Sequence, residues 1–111
     1  MTTITDDDMK GMLAKVRTYT LVLLHPGPNY AMENSRPIIW EHGRRNFGLR
    51  ADGKVALVGP LDATDDPVGI YAFTTNRDET VRLMDDDPAV KAGLFTYTVH
   101  NWRSFPGDTL P

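Results

Sequence analysis

The stretch at 19–24 constrains the fold most, because it is aromatic, β-branched or aliphatic at every position. Side chains alternate between the two faces of a strand, so both faces of this strand are apolar. We therefore expect a strand that is covered on both sides. It ends at 25–29, where two prolines and a glycine break any regular ladder. In a chain of 111 residues this strand belongs to a single domain.

A helix is predicted after this loop. Pro37 suits its first turn, and the pattern runs to about Arg50, before a turn at Asp52 and Gly53. Trp40 and Phe47 are seven residues apart on one helical face, which predicts that they pack inward. Glu41, Arg44 and Arg45 are expected in solvent.

The remaining elements complete a split βαβ pattern. Two strands at 54–60 and 68–74 are joined by a polar hairpin loop at 61–67, which makes the pair antiparallel. A second helix begins at Thr75 and Asn76, with Val81 and Met84 facing inward. The last strand runs from 94 to about 102. The order predicts an α+β, ferredoxin-like βαββαβ fold with an antiparallel sheet.

The ends of the chain lie outside this pattern. Residues 1–16 form an extension, either a short amphipathic helix or a frayed tail, and 17–111 form the domain with a C-terminal tail from about 103. Met9, Met12, Leu13 and Val16 recur at helical spacing behind three aspartates. Carboxylates suit a helix start, so the aspartates need no metal to explain them.

Two helices cover one face of a four-stranded sheet and leave the other face open. That face would take a share of the apolar strand residues, namely Leu21, Leu23, Val55, Leu57, Tyr71, Phe73, Tyr97 and Val99. A contiguous apolar patch of this size is unusual for a monomer. The sequence therefore predicts a homodimer, a dimeric α+β barrel with two sheets packed face to face.

Composition excludes several classes of function. The net charge of −3 leaves no basic surface for nucleic acid, and there is no cysteine for a disulfide or thiolate. No apolar run approaches the ~20 residues of a membrane span. The first residues are rich in Thr and Asp and do not resemble a signal peptide, so we expect a cytoplasmic protein without membrane or nucleic-acid partners.

The centre of the sequence contains a candidate site. His42 lies in the first helix, and Gly59 and Pro60 end the next strand, where glycine permits close approach of another group. A pocket at this strand end would lie beside His42. Imidazole exchanges protons near neutral pH, as elimination or isomerisation requires. His42 is therefore a candidate acid/base residue, and a purely structural histidine at a helix–sheet seam is the alternative.

Two aspartates are candidate partners of His42. Asp87 precedes Pro88, so it is placed to cap the short turn at 88–93, to orient the histidine ring, or to do both. Asp62 either reaches the same pocket or is solvated with its neighbouring carboxylates. The candidate substrate-binding residues are Trp40, Gly59, Pro60 and Asp62.

The other histidines are weaker candidates. His25 and His100 lie near strand ends, where they either line the cavity or face solvent. No two histidines have the short spacing that places two ligands on one face, so no metal site is predicted. The chain has no phosphate-binding glycine loop or nucleotide fingerprint, so no cofactor is expected. Trp40, Tyr71 and Trp102 either wall an aromatic-sized pocket or pack in the core.

Across 19–102 the chain resembles the YCII-related (YciI-like) family of small dimeric α+β barrel proteins. The resemblance rests on a sparse ordered pattern, in which the apolar first strand is followed by His42, Gly59-Pro60, Asp87-Pro88, Ala92-Gly93 and Trp102. The family usually has apolar residues one and four positions after the histidine. This chain has Gly43 and Asn46 there, so we expect Trp40 and Phe47 to take the place of those apolar residues in the packing of this helix.

The resemblance implies a ferredoxin-like dimer in which a histidine and an aspartate, here His42 and Asp87, act as an acid/base pair. Relatives include a dehydrochlorinase of a chlorinated hydroxyquinol, and the fold is similar to that of muconolactone isomerase. The expected function is a small cofactor-free lyase or isomerase acting on a small organic molecule. Two alternatives stay open: a non-catalytic ligand-binding or accessory protein, and a cofactor-independent oxygenase on the same barrel.

Overall fold

The computed structural model of the protein describes residues 1–62 and 64–111. Ala63, in the predicted hairpin loop at 61–67, lies outside the described residues. This part of the chain forms an α+β fold of four helices and one four-stranded sheet. In chain order the elements are α1 (Asp6–Leu13), β1 (Arg17–Pro26), α2 (Arg36–Ala51), β2 (Val55–Pro60), β3 (Gly69–Phe73), α3 (Arg77–Asp85), α4 (Pro88–Lys91) and β4 (Phe95–Ser104).

The sheet has the strand order β2-β3-β1-β4, and every neighbouring pair is antiparallel. Leu21, in the middle of β1, pairs with Ala72 of β3 on one side and with His100 of β4 on the other. β1 is therefore a central strand, as its composition predicts. The arrangement confirms the predicted ferredoxin-like fold, with α1 added before it and α4 inserted before the last strand.

The core lies between the sheet and the helices. Thr20, Val22 and Leu24 alternate along β1 with half-buried residues and point toward the helices. Thr20 is the polar member of this row, and its hydroxyl donates to the Thr75 carbonyl at 2.8 Å. The largest fully buried side chains of the core are Tyr71, Phe73, Met84, Leu94, Val22 and Val55.

The helices leave the other face of the sheet uncovered, and three of the eight candidate residues lie on it. Leu21, Leu23 and Leu57 do lie there, but five other predicted residues lie on the helix side, namely Val55, Tyr71, Phe73, Tyr97 and Val99. Opposite residues of antiparallel strands share a face, and Tyr97 pairs with the buried Leu24. The Tyr97 hydroxyl donates to Asp85 of α3, and burial and this carboxylate raise the pKa of Tyr97 to about 12.

The prediction that Trp40 and Phe47 pack inward from α2 is wrong. Their exposed fractions are 70% and 59%, while His42 and Leu49 are the buried residues of the helix. Arg45, expected in solvent, is half-buried on the same inner stripe. Residues 38, 42, 45 and 49 recur at helical spacing toward the sheet, which turns the aromatic stripe away from it.

The two ends of the chain extend from the domain. Thr5 and Asp8 form a capping box at the start of α1, but α1 buries none of its residues. β4 continues to Ser104, so the tail begins at Phe105, slightly later than predicted. Within the described residues, no helix combines the length and apolarity needed to cross a lipid bilayer.

Two glycines give a matched test of this packing. A methyl group at Gly27 would overlap the Gly93 carbonyl, whereas one at Gly48 on α2 would meet open space. We expect Gly27→Ala to lower the free energy of unfolding by ~1–3 kcal/mol, and Gly48→Ala to raise it by ~0.5–1 kcal/mol through helix propensity. Urea unfolding followed by circular dichroism measures both changes. A Gly27→Ala protein as stable as the parent would contradict the close approach of the two loops.

Candidate functional site

The structure brings His42 and Asp87 together. His42 lies on the inner face of α2, and its Nδ1 atom is 2.9 Å from both carboxylate oxygens of Asp87. Asp87 is fully buried and caps α4, where one of its oxygens accepts from the backbone N–H groups of Ala89 and Val90 at 3.0 and 3.2 Å. The capping role predicted for Asp87 is confirmed, and the same carboxylate contacts the histidine ring.

The carboxylate of Asp87 also has a positive charge near it. Arg45 extends from the next turn of α2 and places its Nη1 atom 3.8 Å from Asp87 Oδ1. A buried charge is costly unless hydrogen bonds and an opposite charge compensate it. Here one imidazole nitrogen, two backbone amides and a guanidinium surround the carboxylate. This environment fixes Asp87 in position as a partner for His42.

The other ring nitrogen of His42 faces a pair of polar side chains. Asn46, one turn further along α2, places its Nδ2 atom 3.2 Å from His42 Nε2. The hydroxyl of Tyr71, from β3, donates to Asn46 Oδ1 at 2.9 Å. Burial raises the pKa of the Tyr71 phenol above its usual range, and the negative charge of Asp87 raises it further. Tyr71 is therefore a protonated phenol at neutral pH and serves as a donor.

These contacts determine where the histidine proton lies. Because Tyr71 donates to the oxygen of Asn46, the amide N–H of Asn46 points at His42 Nε2, and Nε2 must accept. The ring proton is then on Nδ1 and is donated to Asp87. When the ring is neutral, the lone pair of His42 is therefore on Nε2, which is the form that a general base requires.

The histidine lines a cavity of about 330 Å³ between α2 and the sheet. Sites for small molecules span roughly 300–1,000 Å³ and are mostly apolar with a few polar groups, so this cavity suits a small ligand. The polar side chains in the wall are those of His42, Asn46 and Tyr71. The apolar wall is formed mainly by Leu24, Ile39, Phe47, Val58, Val68 and Phe95.

The predicted substrate-binding residues do not all line the same cavity. Gly59 and Pro60, at the end of β2, line the cavity as expected. Asp62 is exposed and is not part of the described wall, so the aspartate beside His42 is Asp87. Trp40 lies in a larger open groove of about 710 Å³ that adjoins the cavity along α2, and the described lining of this groove contains no histidine or carboxylate. We take the smaller cavity as the candidate site because His42 lies in its wall.

His25 and His100 lie on the uncovered face of the sheet and do not line this cavity. Thr98 connects them, with its hydroxyl 3.0 Å from His25 Nε2 and 3.1 Å from His100 Nε2. The Nδ1 atom of His25 is 2.6 Å from Asp66. Across residues 1–62 and 64–111, no three histidine, aspartate or glutamate side chains lie close enough together to hold a metal ion.

Comparison with known proteins gives no functional assignment, since no protein-family model and no curated protein matches the chain. The resemblance to the YCII-related family stays a prediction from the residues. Function is therefore inferred from the geometry around His42.

Asn46 was not predicted as a site residue, and Tyr71 was predicted only to wall an aromatic-sized pocket or to pack in the core. Asn46 is four residues after His42, and this spacing places both on one helical face, so a local signal was present. Tyr71 gave no such signal, because its position depends on the pairing of β3 with β1 and β2. The amide at position 46, where the family pattern has an apolar residue, contacts the histidine directly.

The proton position is testable by nuclear magnetic resonance. We expect nitrogen-15 spectra of the parent protein to place the proton of the neutral His42 ring on Nδ1, because Tyr71 and Asn46 fix the acceptor role of Nε2. Tyr71→Phe releases the amide of Asn46 and should give a mixture of tautomers. Tyr97→Phe, which removes a phenol far from the ring, is the control. A proton on Nε2 in the parent protein would contradict the assigned network.

Proposed function

We propose that the protein is a small cofactor-free acid/base enzyme, a lyase or isomerase that acts on a small, largely apolar organic molecule. The observation that supports this most is the histidine pair at the cavity wall. His42 directs Nδ1 to a fully buried carboxylate, and its Nε2 accepts at an apolar cavity of about 330 Å³. A carboxylate behind an imidazole is an arrangement that supports proton abstraction.

Each polar residue has a defined role in such a reaction. His42 Nε2 takes a proton from a carbon next to a carbonyl, and the electron pair of the C–H bond moves onto the carbonyl oxygen. Asp87 stabilises the imidazolium that forms. The amide N–H of Asn46, displaced from Nε2 by the substrate, donates to the developing oxyanion. Return of the proton at another carbon completes an isomerisation, and loss of a leaving group completes an elimination.

The apolar wall favours this chemistry. A cavity lined by Leu24, Val58 and Phe95 places a bound ligand against apolar side chains, so the attraction between Asp87 and a charged imidazole is stronger than in solution. Among the described residues, the wall has no cationic side chain to bind a carboxylate or phosphate group of a substrate. A neutral ring compound, such as a lactone or a cyclic ketone, fits this lining.

Proton exchange on a panel of simple carbonyl compounds tests the role of His42. Cyclic ketones and lactones are incubated with the protein in deuterium oxide, and mass spectrometry measures deuterium uptake at the carbon beside the carbonyl. We expect His42→Gln to reduce the uptake rate by about 10²-fold or more, because glutamine fills the site but cannot act as a base.

His100→Gln is the matched control, since it removes the same side chain from the uncovered face of the sheet. It should leave the exchange rate unchanged, and both variants should unfold at urea concentrations close to that of the parent. Exchange that continues at the parental rate in a folded His42→Gln protein would remove the histidine from the mechanism.

A non-catalytic ligand-binding protein is the second candidate, and one observation favours it. Both ring nitrogens of His42 already have hydrogen-bond partners within the chain, Asp87 on one side and Asn46 on the other. A ligand that leaves this network intact would bind without reacting. Recovery of a bound compound unchanged, with no deuterium uptake at saturating occupancy, would favour binding.

We also propose that the protein is a homodimer formed through the uncovered face of the sheet. This face contains the half-buried Leu21, Leu23 and Leu57, together with Ile70 and Trp102, whose exposed fractions are 38% and 37%. Apolar surface of this kind on both copies is self-complementary about a two-fold axis. Association would bury side chains that contribute about 1.5–3 kcal/mol each when fully buried.

A single charge on this face tests the dimer. Ile70→Lys places an ammonium group in the centre of the apolar patch, and we expect it to shift the protein from dimer to monomer or to cause aggregation. Ala51→Lys adds the same charge at an exposed position of α2 and should leave the dimer intact. Sedimentation velocity measures both proteins. A compact monomer for the unmodified chain at micromolar concentration would contradict this interface.

A further inference from the structure

Two exposed apolar surfaces of the chain complement each other in shape and charge. One is α1 in the N-terminal extension, where Met9, Met12 and Leu13 form one helical face with exposed fractions of 47%, 49% and 53%. The other is the outer groove on α2, formed by Arg36, Ile39, Trp40, Gly43, Arg44 and Phe47. We propose that α1 of one copy binds in the outer groove of a second copy.

The dimensions of the two surfaces match. An eight-residue helix is about 12 Å long, and the groove from Arg36 to Phe47 extends about 16 Å along α2. Gly43 lies in the middle of the groove, and a side chain added there would meet open space. A glycine at this point lets the backbone of another helix approach α2 closely, between Trp40 and Phe47.

The charges of the two helices are opposite. The first turn of α1 contains Asp6, Asp7 and Asp8. The groove is lined by Arg36 and Arg44, of which Arg44 also forms an exposed ion pair with Glu41, and the Arg50 guanidinium lies 4.9 Å from the Phe47 ring centroid. The seated helix would bring three carboxylates to this basic rim. The favourable contacts are therefore both apolar and ionic.

The occupant comes from a second copy because α1 does not seat in the groove of its own chain, where it buries none of its residues. Three residues, 14–16, join α1 to β1, so Leu13 lies at most about 14 Å from Arg17. The groove shares Ile39, Gly43 and Phe47 with the wall of the His42 cavity, which also includes Leu24. Leu24 is seven residues from Arg17, or about 23 Å along the strand. The end of α1 that joins the connection therefore stays short of Leu24.

Reciprocal exchange of the two extensions joins two copies through two identical contacts. It also affects the site, because the seated helix covers three residues that border the His42 cavity. The second copy thereby closes part of the cavity mouth and supplies Met and Leu side chains to it. This contact involves the outer side of α2 and is independent of the uncovered sheet face.

Cysteine cross-linking tests the contact, since the natural chain has no cysteine. Met9→Cys in the middle of α1 is combined with Gly43→Cys in the middle of the groove, so that the pair meets in either helix orientation. We expect mild oxidation to give a covalent dimer whose peptide map links residue 9 of one chain to residue 43 of another. Met9→Cys combined with Gly48→Cys is the matched control, because Gly48 lies on the same helix outside the groove.

Reversal of the charges on the two helices gives a second test of the contact. Asp6→Lys with Asp7→Lys should lower the yield of the 9–43 cross-link about fivefold, and adding Arg36→Glu with Arg44→Glu should restore it. A disulfide formed within one chain would overturn the proposal, as would equal yields from the Gly43 and Gly48 pairs. A yield unaffected by charge reversal would also contradict it.

Discussion

A fully buried carboxylate is the constraint on which the rest of the structure depends. Asp87 has no exposed surface, so every donor that stabilises it has to come from the protein. The hydrogen-bond donors are His42 on α2 and the amides of Ala89 and Val90 at the start of α4, and Arg45 on α2 adds a positive charge 3.8 Å away without a hydrogen bond. Loss of any one of them leaves a buried charge incompletely compensated. The carboxylate thus fixes the distance and rotation of α2 relative to α4.

The network extends from Asp87 to the sheet. His42, Asn46 and Tyr71 continue it, so that a β3 phenol, two α2 side chains and the α4 cap form one chain of hydrogen bonds. A buried polar network is favourable only when each donor and acceptor in it has a partner, so each of these hydrogen bonds has one direction. The hydrogen bonds that orient α2 also make Nε2 of His42 an acceptor at the cavity wall. The same contacts therefore hold α2 in place and position the proposed base.

The sequence predicted the parts of the fold that depend on local pattern. The alternation along β1 and the turn residues after each strand were enough to predict the ferredoxin-like order of elements. The position of Asp87 before Pro88 was enough to predict the cap of α4. Which side of α2 packs against the sheet could not be predicted in the same way. Trp40 and Phe47 define an apolar stripe, but periodicity does not say which stripe faces the sheet. Here the more polar stripe faces inward, because Asp87 requires donors there.

Contacts that depend on strand register also could not be predicted from local sequence patterns. Tyr71 reaches His42 only because β3 pairs with β1 in a particular register, and a shift by one residue would send its side chain to the other face. The same dependence on register determines that Tyr97 lies on the helix side of the sheet rather than on the uncovered face. Asn46 is different, since its spacing from His42 is visible in the sequence, and only the contact of its amide with the ring required the structure.

The polar inner face of α2 also has a consequence for the cavity wall. A helix of sixteen residues that buries only His42 and Leu49 has little apolar area holding it to the sheet. Segments of this kind open at a lower free energy than the global unfolding of the core. Local opening of α2 would break the hydrogen bonds of Asp87 while β1 and β3 stay paired. The contacts that position the candidate base therefore also set the local stability of the cavity wall.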